Sequence, residues 1–152
     1  MHRNSMRLMA DFRDRYLNDS KGCTVLDVGS LQVKKQALSY RQLFGDYRYI
    51  GMDVVAGKNV DIVGYNGLEM YDVVISGQVM EHVLRPWEWL KALAGVYRHY
   101  ICIIAPNTWE EHKYPLDTYR YFPDGMRDLF NYAGITSVEV RKSGHDTIGI
   151  GK

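Results

Sequence analysis

Strand and helix signals alternate along almost all of this 152-residue chain, and that alternation restricts the fold more than any other feature. "CTVLDVG" is a short apolar run with β-branched residues, ended by Gly29. "YRYIGMDVV", a brief "NVDIV", "YDVVIS" and "YICIIAP" follow in turn. Apolar runs of this length bounded by turn signals suit strands buried on both faces. Between them the apolar period changes to that of a helix. From Ser5, "SMRLMADFRDRYL" puts Met9, Phe12 and Tyr16 on one face. "QVKKQALSYRQLFG" does the same with Val33, Ala37, Tyr40 and Phe44, and Gly45 supplies a stop. Pro86 opens a helix carrying Trp87, Leu90, Ala94 and Tyr97. Pro123 opens another, with Met126, Leu129, Phe130 and Ala133 inward and Gly134 past its end. "TSVEVRK" and "DTIGIGK" flank Ser143-Gly144-His145 and predict an antiparallel hairpin.

The expected architecture is α/β: a Rossmann-like, doubly wound and mostly parallel sheet with helices on both faces. "VLDVG" is predicted to be central and the last strand antiparallel, in a sheet of about six or seven strands. A single domain spans 1–152, with an amino-terminal helix in 1–20 and the core in 22–152. Nineteen basic against eighteen acidic residues, with no basic run, give no indication of a nucleic-acid partner. The apolar runs are too short to span a bilayer and no signal-peptide core precedes them, so no membrane partner and a cytoplasmic location are expected. Cys23 and Cys102 are expected as free thiols of a reduced compartment, and are too few for a zinc cage.

Ligands of such sheets bind beyond the carboxyl ends of the strands, where strand order reverses. That directs attention to Gly29, Asp53, the stretch from Ser76 to Gln78, and Pro106 onward. A dinucleotide fingerprint needs three glycines, but its later two positions here hold Leu31 and Lys34. The missing second glycine matters most for a pyrophosphate packed on the turn. A ligand without phosphate, such as S-adenosylmethionine, makes no such demand. Asp27 either attracts its ammonium group or caps a turn, and the N–H groups of the turn can meet its carboxylate. Asp53 ends the second strand 24 positions after Gly29 (53 − 29), the spacing of an acid that grips ribose hydroxyls, although it also reads as an ordinary loop aspartate. Lys34 and Lys35, near a helix start, either attract an anion or stand as solvated surface lysines.

With "VLDVGS", "YIGMDV", "YDVVISGQVMEHV", "YICIIAPN" and "EEHKYPLDTYRYFPDGMRDLF" in that order, the chain resembles a small class I S-adenosylmethionine-dependent methyltransferase of the type 11-like group. The resemblance implies S-adenosylmethionine as cofactor and a seven-stranded sheet whose last strand is antiparallel. It implies that Asp27, Gly29 and Ser30 line the methionine side and that Asp53 holds the ribose hydroxyls. Val54 would lie against the adenine, with Gly77 and Gln78 closing over the methionyl moiety. The chain departs from the group's pattern in lacking a second glycine near Leu31 and in reading "YRHY" where Pro-Gly-Gly is usual. Only "GYNGLEM" separates "NVDIV" from "YDVVIS", a span of roughly 23 Å at about 3.3 Å per residue. A brief third strand and a loose connection are therefore expected, with Tyr65 or Asn66 where the group's adenine-side acid would fall.

Methyl transfer is an in-line displacement at an activated carbon, so positioning supplies most of the acceleration and no fixed acid–base pair is demanded. A base is needed only when the acceptor must lose a proton. His82, His112, Tyr114, Asp117 and Arg120 are the substrate-side candidates, with Arg120 available to an acidic substrate. Their plain reading is a loop whose tyrosines pack onto the sheet and a His82 that pairs with Glu81. His112, Asp117 and His145 have no diagnostic metal spacing, and no metal is expected. The function expected is methyl transfer to a small-molecule or glycan-type acceptor. The alternative is a degenerate domain that binds cofactor or a protein partner without catalysis; a nicotinamide-dependent oxidoreductase would need the absent glycines.

Overall fold

A computed structural model describes residues 2–33, 38–66 and 69–152. Its elements are α1 (Arg3–Tyr16), β1 (Thr24–Val28), β2 (Arg48–Asp53), β3 (Ile62–Val63), β4 (Tyr71–Gly77), α2 (Pro86–Ala94), β5 (Tyr97–Pro106), α3 (Pro123–Ala133), β6 (Ser137–Ser143) and β7 (Asp146–Gly151). Single 3₁₀ turns occupy Tyr40–Leu43 and Met80–His82. The strands form one sheet in the order β3-β2-β1-β4-β5-β7-β6. β7 runs antiparallel to both its neighbours, and all other pairs are parallel.

Alternation along the strands sends successive side chains to opposite faces. Leu26, Val28, Met52, Val74, Ile101 and Ile103 join Leu90 and Leu93 of α2 and Met126 and Phe130 of α3 in one core. Val25, Val73, Ile75, Cys102, Ile104 and Ile148 meet Leu8, Met9 and Phe12 of α1, with Tyr40 and Phe44, in the other. The run "VLDV" is buried throughout because β1 is paired on both edges and covered on both faces. In β7 the isoleucines face α1, while a Cβ on Gly149 would lie 2.8 Å from Phe130, so the glycines let α3 approach the sheet.

Four expectations need correction or a limit. The inner face of α2 is Trp89, Leu90 and Leu93, because the helix stops at Gly95 and Tyr97 already begins β5. The helix expected over 32–45 is represented, among the described residues, by the 3₁₀ turn alone; 34–37, with Lys34 and Lys35, lie outside them. The hairpin turn has two residues, since Ser143 pairs with Asp146 and Gly144 adopts φ +59°. β3 is only two residues long, and its connection includes residues 67 and 68, which also lie outside the described set. Cys23 and Cys102 are free thiols. No described helix is long and apolar enough to cross a membrane.

Candidate functional site

Strand order reverses between β1 and β4, so their carboxyl ends border the crevice where this class of sheet binds ligands. Gly29 turns the chain there with φ +85°, and a Cβ on it would sit 2.1 Å from Val79 Cγ2. The Gly29 and Ser30 N–H groups both donate to Met52 O, at 2.8 and 3.0 Å. Ser30 Oγ donates to Asn59 O at 2.9 Å, and Asn59 Nδ2 donates back to Ser30 O at 2.9 Å. The turn is therefore locked to β2 and its loop, and these two N–H groups are already engaged.

Asp53 closes the same turn. Its Oδ2 accepts from Leu31 N at 3.1 Å and its Oδ1 from Val55 N at 3.2 Å. A carboxylate has about four acceptor positions, so each oxygen keeps capacity for a further donor. Val33, Val54, Val55 and Val63 are all exposed aliphatic side chains on the segments around it. Such a rim suits the face of a flat apolar ring.

Asp27 is buried and accepts from the Tyr49 hydroxyl. Burial pushes its carboxyl up to about 7, against the opposing pull of Tyr49 and Arg41. Arg41 lies over the Tyr49 ring at 4.5 Å and donates to Asn59 Oδ1 at 2.6 Å. A Cβ at Gly77 would fall 1.9 Å from the Tyr40 hydroxyl, which itself bonds Ser5 Oγ at 2.5 Å. Gln78 adopts φ +60° and donates through Nε2 to Asp146 Oδ1 at 3.1 Å. Tyr65, the expected adenine-side substitute, accepts from Trp89 Nε1 at 3.1 Å instead.

The substrate-side candidates form a second group, and most of its polar capacity holds the loop 107–122 in place. Arg120 grips both oxygens of Asp117 at 2.6 and 2.7 Å and gives its other three N–H groups to the carbonyls of Trp109, Glu110 and Tyr119. All five guanidinium donors are spent, which leaves none for an acidic substrate. The Arg120 pairing also holds the Asp117 carboxyl well below the usual range. Thr118 N and Oγ1 both donate to Glu81 O, at 2.7 and 2.8 Å, and Tyr121 donates to Met80 O at 2.9 Å. His82 and His112 meet edge to face at 5.2 Å, and Tyr114 adds a third ring 6.3 Å from His82. Of the metal set weighed from sequence, His145 stands apart, against Thr108 and Trp109.

Two buried carboxylates, neither of them among the candidate site residues, complete the rim. Asp146 gathers Asn4, Gln78, Trp109 and His2. Glu81 is fully buried beside both histidines. Burial raises its carboxyl to about 8. Neither carries a sequence signal, since an Asp in a hairpin and a Glu before a His are common on surfaces. A hollow on the outer side of the loop is lined by Trp109, Glu111, Asp117 and Tyr119. A larger one lies at the amino-terminal end of the sheet, among Tyr16, Cys23, Asp72 and Arg98, away from all these groups.

No protein family matches the chain by sequence, and neither does any curated protein. Solved structures are nevertheless similar. The amino-terminal domain of EvdMO1, crystallised in the presence of SAH and D-fucose, is 16% identical with a TM-score of 0.67, covering 99% of this chain and 83% of that one. A SAM-dependent methyltransferase from Aquifex aeolicus is 16% identical with a TM-score of 0.61, over 99% of this chain and 98% of its own. Magnesium protoporphyrin IX methyltransferase from Synechocystis PCC 6803, with SAM bound, is 12% identical with a TM-score of 0.67, over 97% of this chain and 77% of its own. The strand order, the reversed β7 and these likenesses together give the chain the fold of the class I S-adenosylmethionine-dependent methyltransferases.

Proposed function

We propose that the chain binds S-adenosylmethionine across the carboxyl ends of β1, β2 and β4 and transfers its methyl group to a small-molecule or glycan-type acceptor. Asp53 carries the reading. It stands at the end of β2 beside the β1 turn, pinned by two backbone donors, with acceptor capacity left for ribose hydroxyls and exposed valines on either side for adenine. The residues present fit the nucleoside half of the cofactor. When bound, the cofactor supplies an activated methyl group on a sulfonium. The chain's own part is to position and to exclude water. Gly29 and Ser30 hold the turn against β2, and Gln78 is fixed by Asp146 beside the reacting side. The loop 107–122, anchored on the backbone of residues 80 and 81, walls the side from which an acceptor would come.

The methionine side favours a second reading, a degenerate domain that binds cofactor or a protein partner without catalysis. On the methionine side Tyr40 covers Gly77, and Asp27 is committed to Tyr49. Calorimetric titration of S-adenosylmethionine into wild type, Asp53→Asn and Asp53→Ala tests the cofactor site. Loss of charge-assisted bonds in Asp53→Ala should raise Kd roughly ten- to a hundredfold. Asp53→Asn should lose less. Equal binding by all three overturns the role of Asp53, and no binding by wild type at millimolar cofactor leaves the second reading in its protein-partner form.

A further inference from the structure

We propose that Glu81, His82 and His112 form a binding site for a divalent transition-metal cation. The 3₁₀ turn Met80–His82 delivers Glu81 and His82 from the end of β4, and the loop after β5 brings His112 across to them. Glu81 is 0% exposed, and neither of its carboxylate oxygens has a hydrogen-bond partner. A buried carboxyl without partners keeps its proton, and a cation bound beside it would displace that proton and compensate the charge. The imidazole nitrogens His82 Nε2 and His112 Nε2 lie 3.7 and 3.9 Å from Oε1. Those separations are too long for imidazolium–carboxylate hydrogen bonds, which close to about 2.8 Å. They are close to the spacing of atoms sharing one ion: two ligands about 2.1 Å from a tetrahedral centre lie about 3.4 Å apart.

The opposite ring nitrogens decide which lone pairs are free. His82 Nδ1 lies 2.5 Å from Leu116 O, and His112 Nδ1 lies 3.0 Å from Glu110 O. A carbonyl oxygen can only accept, so each Nδ1 carries the proton and each neutral ring keeps its lone pair on Nε2, the atom nearest Glu81. A backbone carbonyl behind the distal nitrogen is the usual support of a metal-bound histidine. Both carbonyls are themselves held: Leu116 O accepts from Tyr114 N at 3.2 Å, and Glu110 O from Arg120 at 2.8 Å. Asp117 adds a bond from His112 N at 2.5 Å, so the ligand loop is already folded. One ligand atom from each residue can be chosen with all three within 4.8 Å of one another, a gap that small side-chain rotations close.

Two imidazole nitrogens and one carboxylate oxygen select borderline cations such as Zn²⁺, Co²⁺ or Ni²⁺ over Mg²⁺ and Ca²⁺, which prefer all-oxygen sites. The His112 side chain is 40% exposed, which gives the ion a way in and leaves coordination positions open toward solvent. On the methyl-transfer reading proposed above, that open side faces the acceptor.

The test uses untagged full-length protein stripped with a chelator and then titrated with Co²⁺, followed by visible absorption and by displacement with Zn²⁺. One equivalent should bind. His82→Ala and His112→Ala should each weaken binding about a hundredfold or more, beyond the loss typical of supporting residues. His99→Ala, at the opposite end of the sheet, should bind as wild type does. Both ligand histidines are partly exposed, so circular dichroism of the variants should match wild type. No Co²⁺ binding at millimolar concentration, or binding that survives both histidine substitutions, overturns the proposal. Neither cofactor nor acceptor is present, so this result and the Asp53 titration fail independently.

Discussion

Glu81 and Asp146 are both fully buried carboxylates at the carboxyl rim of the same sheet, yet they are held in opposite ways. Asp146 receives Asn4 Nδ2 at 2.7 Å, Gln78 Nε2 at 3.1 Å and Trp109 Nε1 at 3.2 Å, and His2 Nε2 approaches to 3.4 Å. No side chain donates to Glu81. Burial pushes both carboxyls upward. At Asp146 the bonds from His2, Asn4 and Gln78 outweigh burial and leave the carboxyl below its ordinary value, whereas Glu81 stays raised to about 8. The lesson is that burial alone does not set the charge of a rim carboxylate; the donors around it do. Asp146 is a knot that ties α1, the β4 exit, the loop after β5 and the hairpin together. Glu81 is an acceptor still without a side-chain donor.

Breaking the knot should have the largest effect. Asp146→Ala leaves three buried or half-buried donors unpaired and is expected to cost at least about 3 kcal/mol, read from urea unfolding. Next comes pH. Glu81 binds its proton more tightly folded than unfolded, so its contribution is complete below its ordinary value of 4.5 and is lost as pH rises toward about 8. The fall is up to about 1.4 kcal/mol per pH unit across that window in metal-free protein. Glu81→Gln should flatten this slope. Asp146 has the opposite sign: its contribution is present above its ordinary 3.8 and lost as pH falls through its depressed value. Unfolding followed from pH 3 to 9 would therefore show an acid limb that Asp146→Asn reduces, the rest belonging to Asp117 and Glu139, and a basic limb that Glu81→Gln reduces, the rest belonging to Asp27.

Smaller changes sharpen the contrast. Asn4→Ala removes one donor from Asp146 and one contact to Ser143 O, and should cost about 1.5 kcal/mol in the same unfolding assay. Tyr49→Phe takes away the hydroxyl on Asp27 and turns that carboxyl into a second Glu81. The expected cost is about 1 kcal/mol. Titration of the Asp27 carboxyl by NMR should move it further upward from about 7. An unchanged or lower value would break the comparison at its root.

How much of this was legible in sequence depends on whether the signal was local. The apolar period of β1, β4 and β5, the prolines opening α2 and α3, and the glycines closing the β1 turn and the hairpin follow from one to a few neighbours. They sufficed to predict an α/β sheet with a reversed last strand. The place of Asp53 at the end of β2 was legible too, because a strand-end acid at a set distance from a glycine turn is a feature of chain order. The face of α2 was misplaced by a residue or two, since nothing before tertiary packing says that Gly95 stops the helix and Tyr97 starts a strand.

What only the tertiary structure decided is which polar groups are alone. Arg120 looked available until the loop folded and spent its five donors on Asp117 and three carbonyls. That Gly77 must lack a side chain became visible only when Tyr40, 37 positions away (77 − 40), packed against it. Glu81 looked like the partner of its neighbour His82 until His112 arrived from across β5 and neither ring came within hydrogen-bonding distance of the carboxylate. The sequence by itself determined the strands, their order of appearance and the ends at which chemistry gathers, because those depend on local period and turn. The availability of a side chain depends on donors and acceptors brought together from distant segments, and that sum exists only after the chain has folded.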